Sequence, residues 1–142
     1  MDIVFILRDA LASSTIGTLL AALEAKEEGL DVGVLFTQEA LAAAARGSFT
    51  WPREMSGQDV RYALADRGKV LGLPVLGRSD SRQLDPKGLI ARAREKGVVL
   101  YGCPWWSNLL GLDGQLPAGF QAIDSKTALR LLRETKRVIG TL

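Results

Sequence analysis

The sequence predicts an α/β protein, a single three-layer α/β/α domain of flavodoxin-like plan on a mostly parallel sheet of about five strands. Two observations carry this. Short apolar runs alternate with segments of helical periodicity, and a strand–helix–strand alternation implies right-handed crossovers and parallel pairing. The runs are also apolar throughout rather than at every second residue, as expected of parallel strands buried on both faces. The chain of 142 residues is near the usual size of one domain, and 1–142 reads as one, without repeat, low-complexity stretch or linker. With 47% hydrophobic residues, a chain of this size buries about 70% of the surface its unfolded form exposes and needs no covalent staple.

Asp2 to Leu7 is the first strand. Ser13 or Ser14 caps the helix that follows, Ile16, Leu19, Leu20 and Leu23 mark its inward face, and Gly29 suits its end. Asp31 to Phe36 is the second strand, and Thr37 caps an Ala-rich helix that stops at Gly47. Phe49 to Ser56 reads as a loop, and Gln58 to Arg67 as a helix with Val60 and Leu64 inward. Lys69 to Leu76 is apolar but interrupted by Gly72 and Pro74, and Gly77 to Leu84 is a polar loop. Asp85 and Pro86 are a cap and a proline at the first helical position, with Leu89, Ile90 and Ala93 facing in and Gly97 at the helix end. Val98 to Tyr101 is a core strand. Ser125 caps a last helix carrying Ala128, Leu129, Leu131 and Leu132, and Arg137 to Leu142 is the strand that closes the sheet.

Composition removes several chemistries. There is no histidine, the commonest general base and metal ligand, so Ser-His-Asp and Cys-His catalysis is excluded within one chain. One cysteine and no histidine do not make a zinc site, no metal is expected, and no resident cofactor is implied. A single cysteine cannot form an internal disulfide, which fits a reducing compartment. The N-terminal Met1 to Asp9 has no basic leader, and no apolar run approaches the roughly 20 residues needed to span a bilayer, so the expectation is a cytoplasmic protein without a membrane partner. Net charge is +2 but uneven. Residues 1–50 carry three basic and seven acidic side chains, whereas residues 51–100 carry ten and six. The basic middle favours an anionic partner or is a solvated face. Its bases are interleaved with acids and no RNA-binding aromatic motif accompanies them, so no nucleic-acid partner is expected.

The richest segment is Gly102-Cys103-Pro104-Trp105-Trp106-Ser107. Ligands of open α/β sheets bind at the carboxyl ends of the strands, and this segment follows the Val98 strand. Gly102 permits a sharp turn, and Pro104 suits the first position of a helical turn. A cysteine there would face backbone N–H donors and the positive end of a helix dipole, both of which favour thiolate. Trp105 and Trp106 wall a pocket or pack in a core or interface. Arg8, Asp9, Ser13 and Ser14 follow the first strand and should open into the same crevice, Asp9 as a base or hydrogen-bond acceptor, or as a solvated acid. The turn from Arg8 to Ser14 contains no glycine, so it matches neither the GxGxxG nor the P-loop pattern.

The chain resembles the DsrE/DsrF-like family of small α/β sulfur-relay proteins. The resemblance rests on the first strand and its Ser-containing helix, Ala21-Ala22-Leu23-Glu24-Ala25 running to Gly29, and the strand Val32-Gly33-Val34-Leu35-Phe36. It rests also on Ala93-Arg94-Glu95-Lys96-Gly97-Val98-Val99-Leu100-Tyr101-Gly102-Cys103 and on Lys136-Arg137-Val138-Ile139-Gly140. In that family a cysteine at the end of this strand is the usual site of persulfide formation, a role the resemblance assigns to Cys103. It also implies a homo-oligomer, a trimer or hexamer, with the cysteine pocket near subunit contacts, and a sulfur donor or acceptor protein as partner.

The leading expectation is therefore a sulfur carrier or sulfurtransferase-like protein that passes sulfane sulfur through Cys103. The second is a binding or assembly module in which Cys103 is structural and the tryptophans anchor an oligomer interface. The third is a binder of a small anion or nucleotide at the same crevice.

Overall fold

The structure, a computed structural model, describes residues 1–140. Its main sheet contains β1 (Ile3–Leu7), β2 (Val32–Phe36), β5 (Val99–Gly102), β6 (Phe120–Ala122) and β7 (Arg137–Ile139). Their order is β6-β5-β2-β1-β7, and every neighbouring pair is parallel. Six helices are described: α1 (Ala12–Glu27), α2 (Gln38–Arg46), α3 (Gln58–Val70), α4 (Pro86–Glu95), α5 (Pro104–Leu109) and α6 (Ser125–Glu134). A separate antiparallel ribbon, β3 (Val75–Leu76) with β4 (Gln83–Leu84), sits against α3.

Strand alternation divides the core in two. Phe5, Leu7, Val34, Phe36 and Leu100 face one side, where Leu19 of α1, Leu41 of α2 and Leu89 of α4 pack on them. Each such fully buried side chain contributes about 1.5–3 kcal/mol relative to leaving it exposed. Val4, Leu35, Tyr101 and Cys103 face the other side, against Leu131 and Leu132 of α6. Topology explains the asymmetry. The crossovers from β1 to β2, β5 and β6 all advance one way across the sheet, whereas that from β6 to β7 returns across the whole sheet. A right-handed return must run over the opposite face, so the ten residues of α6 cross it, with Met1 and Trp106 also packed against the cluster there.

Several local expectations are corrected. Helix α1 starts at Ala12, after an N-cap residue Leu11 that makes no side-chain cap bond, so neither Ser13 nor Ser14 is the cap. The amides at this end are met by one local and one distant partner instead: Leu11 N–H donates to Asp9 Oδ1, two residues back, at 2.9 Å, and Ala12 N–H to the Thr50 carbonyl at 2.8 Å. Thr37 and Asp85 hold their expected N-cap positions without side-chain bonds, and Pro86 is the first helical residue. Asp124, not Ser125, caps α6, its Oδ1 accepting from Thr127 N–H at 2.7 Å. Val60 is exposed rather than inward, because α3 buries Ala65 and Gly68, and on α6 Leu129 is exposed while Ala128 is buried. The interrupted segment 69–76 divides into the end of α3, a turn and β3, and the polar loop 77–84 contains β4. Strand β6 is an addition to the sequence reading. The closing strand covers Arg137–Ile139, and Thr141 and Leu142 lie outside the described residues. The loop after α2 is tied in by a parallel bridge between Thr50 and Leu11, and Trp51 packs against the larger core cluster. No helix is long and apolar enough to cross a membrane among the described residues.

Candidate functional site

Cys103 follows β5 directly and occupies the N-cap position of α5, with Pro104 at the first helical position. Its N–H donates to the Phe36 carbonyl at 2.9 Å, which extends the β2–β5 ladder by one residue and fixes the backbone there. The side chain does not turn toward the helix. It accepts no cap hydrogen bond and is 4% exposed, packed in the apolar cluster with Val4, Leu35 and Tyr101 and bordered by Trp106 and Ile123. The expectation that the sulfur faces the amides of α5 is thus corrected. The pleat of β5 sends alternate side chains to opposite faces, so residue 103, two beyond Tyr101, points with it toward α6.

The cleft beside this strand end lies between α5, β6 and the start of α6. Its volume is about 230 Å³. Gly102 and Pro104 form one wall, Leu112, Leu116 and Ile123 supply apolar surface, and Ser107, Asp113, Asp124 and Ser125 bring oxygens. Gly102 is required here for a close approach rather than for a turn. It pairs within β5 with Phe36 and Ala122, and a Cβ on it would lie 2.7 Å from Leu116 Cδ2. The hydrogen-bonding pattern assigns the Asn108 amide nitrogen toward Asp113, donating to Oδ2 at 2.6 Å. The hydrogen bond from Thr127 holds the Asp124 carboxyl below its usual range. Ser107 is 6% exposed and its hydroxyl has no protein partner. Burial of an unpaired hydroxyl is costly, so this oxygen is an unmet polar group on a residue that lines the cleft.

The sequence-predicted residues do not all meet. Gly102 and Pro104 line the cleft, while Asp9, Ser13 and Ser14 do not. Asp9 is engaged at the start of α1. Neither tryptophan lines the cleft: Trp105 is 41% exposed, and Trp106 is partly buried, packing against both core clusters. Ile123 touches both settings, lining the cleft and packing against the cluster that contains Cys103. Sequence reasoning missed Asn108, near the end of the short helix α5, and Asp113, Leu116 and Ile123, which come from irregular chain between α5 and α6 with no periodicity to mark it. Asp124-Ser125 did carry a signal, the helix-start pattern. Among the described residues, no group of three acidic, cysteine or histidine side chains is placed to hold a metal ion.

This parallel sheet, with its return crossover and its short helix after β5, defines a DsrE-like α/β fold. The solved structures that share it include the crystal structure of the YchN protein from E. coli, which superposes with a TM-score of 0.63 over 99% of this chain and 98% of that one. Sequence identity is 14%, so the likeness establishes the fold alone. No protein-family model matches the sequence, and neither does any curated protein.

Proposed function

We propose that the protein is a sulfane-sulfur carrier in which Cys103 accepts sulfur as a persulfide and passes it to a partner thiol. The observation that carries this reading is the position of the chain's sole cysteine, immediately beyond the carboxyl end of a core strand and beside the cleft of a DsrE-like fold. The exchange balances without an added oxidant. The Cys103 thiolate attacks the outer sulfur of a donor persulfide, the donor S–S bond breaks, and a new S–S bond forms on Cys103. The donor leaves as a thiol, taking up the proton that Cys103 gave up. A second such exchange discharges the sulfur to the acceptor. Mass spectrometry after incubation with polysulfide tests the reading. A gain of one sulfur on Cys103 is expected, and none, under conditions that load a control carrier, overturns it.

The burial of Cys103 favours a second reading, an assembly module in which the thiol is structural. Its interface would be homo-oligomeric and would use the exposed apolar side chains of α5, Trp105 at 41% and Leu109 at 73%. Iodoacetamide separates the two. A carrier is alkylated in its native state, whereas a structural Cys103 reacts only as the protein unfolds. Sedimentation of Leu109→Glu beside the wild type reports the assembly, a trimer or hexamer that this charge should disperse.

A further inference from the structure

A second concavity opens on the face of the sheet opposite the Cys103 side chain. It lies between α4 and β6, with the end of α2 at one side and a volume of about 210 Å³. Phe49, Ile90, Leu100, Pro117 and Phe120 make its walls apolar. The polar groups that join them are both cationic, Lys87 and Arg94, and no acidic residue lines it. These two stand seven residues apart on α4, hence two turns or about 10 Å, with Ile90 and Ala91 between them on the same wall.

Arg94 is held in place, and neither cation is neutralised. The Arg94 side chain lies across Gly119, where φ is +83° and an added Cβ would collide with Arg94 Cδ, and its Nη1 donates to the Ala118 carbonyl at 3.2 Å. The rest of the guanidinium fork remains available. The Lys87 ammonium rests against Gly47, the residue that ends α2. Among the described residues, no ion pair involves either side chain.

We propose that this slot binds a small amphipathic anion, a carboxylate carried on a single aromatic ring or a short hydrocarbon chain. The walls supply burial for an apolar body. The volume is below the roughly 300–1,000 Å³ of sites for drug-sized molecules, which limits that body to about one ring. Charge complementarity sets the sign of the head group, and the planar donors of Arg94 favour a carboxylate over a point anion. The site makes no use of Cys103 and stands whether or not that thiol carries sulfur.

Titration followed by amide NMR of Ala91, Ala118 and Phe120 tests the proposal on the wild-type chain, with three probes. Phenylacetate should shift these resonances saturably. Its cationic counterpart 2-phenylethylamine and the bodiless anion acetate should each bind at least about tenfold more weakly, the ratio one charge-assisted contact or one buried ring commands. Arg94→Gln, at an exposed position, should weaken phenylacetate by about tenfold with an unchanged melting temperature. Ala91→Phe should fill the slot and abolish binding. Equal binding of the amine, acetate binding as tightly as phenylacetate, full retention of affinity in Arg94→Gln, or no saturable shift by about 10 mM phenylacetate would each overturn it.

Discussion

Cys103 contributes to packing whatever chemistry its sulfur performs. At 4% exposed among Val4, Leu35 and Tyr101, it behaves as a small buried hydrophobe. Cys103→Ala should cost about 1 kcal/mol through the lost apolar contact. Cys103→Ser is nearer in size but buries a hydroxyl among apolar side chains, and should cost about 1–3 kcal/mol. Urea unfolding midpoints should therefore rank wild type, then Ala, then Ser. A Ser variant as stable as the wild type would contradict the apolar setting of this sulfur. The same setting bears on the sulfur-carrier reading, because a donor must displace partly buried neighbours of the cluster, among them Ile123 and Trp106, to reach the sulfur. Gly102 shows how one residue can be singled out for the wrong reason. Its missing side chain makes room for Leu116, a contact between distant residues that no local pattern encodes.

At the scale of elements, α6 is the most exacting test of the fold. It carries the return from β6 at one edge of the sheet to β7 at the other and packs Leu131 and Leu132 on the face that bears Cys103. Its Ala128 is fully buried and its Leu132 partly buried against the cluster, whereas Leu129 is 59% exposed. Leu132→Ala should cost about 1–3 kcal/mol, while Leu129→Lys should stay within about 0.5 kcal/mol. Thermal melts of the two variants check the orientation of the helix, and the reverse ranking would mean that α6 is rotated about its axis. Should Leu129→Lys remain folded while an assembly of copies disperses, the exposed leucine belongs to an interface. The helix was legible from its leucine spacing, but which leucines face the sheet follows from where Asp124 starts it, one residue earlier than the sequence reading.

The molecule as a whole closes through charges at its first and last strands. Lys136, just before β7, donates to Asp2, just before β1, at 2.6 Å, and that hydrogen bond lowers the Asp2 carboxyl pKa and raises that of Lys136. The Asp66 carboxyl is lowered by Arg82 and that of Asp124 by Thr127. A depressed carboxyl pKa stabilises the fold fully above the unfolded value of about 4 and loses that contribution as pH falls through the folded value. The raised Lys136, and Tyr101, raised by burial, act in the opposite sense, with stability full below about pH 10 and falling above it. Unfolding midpoints should be level across the middle of this range and drop on both sides. Asp2→Asn should flatten part of the acid limb and part of the alkaline one together, since one pair spans both. An unchanged profile in this variant would show that the pair does not tie the strands in solution.

The apolar runs at 3–7, 32–36 and 98–101, the helical spacing between them and the lone cysteine after glycine are local features. They sufficed to determine the α/β class and the parallel sheet, and they singled out Cys103, the residue on which the proposed function rests. Hydrophobic periodicity is written residue by residue, so it survives without coordinates. Tertiary structure alone decided the rest. It added β6, whose three residues are too few to show a period and are a strand only because Leu100 to Gly102 pair with them. It met the first helical amide of α1 with the Thr50 carbonyl rather than a serine, and it kept Asp9, Ser13 and Ser14 out of the cleft. It also turned Cys103 toward α6 and away from the helix end that its position suggested. The direction of a side chain is set by strand pleat and by what packs above it, and both depend on residues far away in the chain.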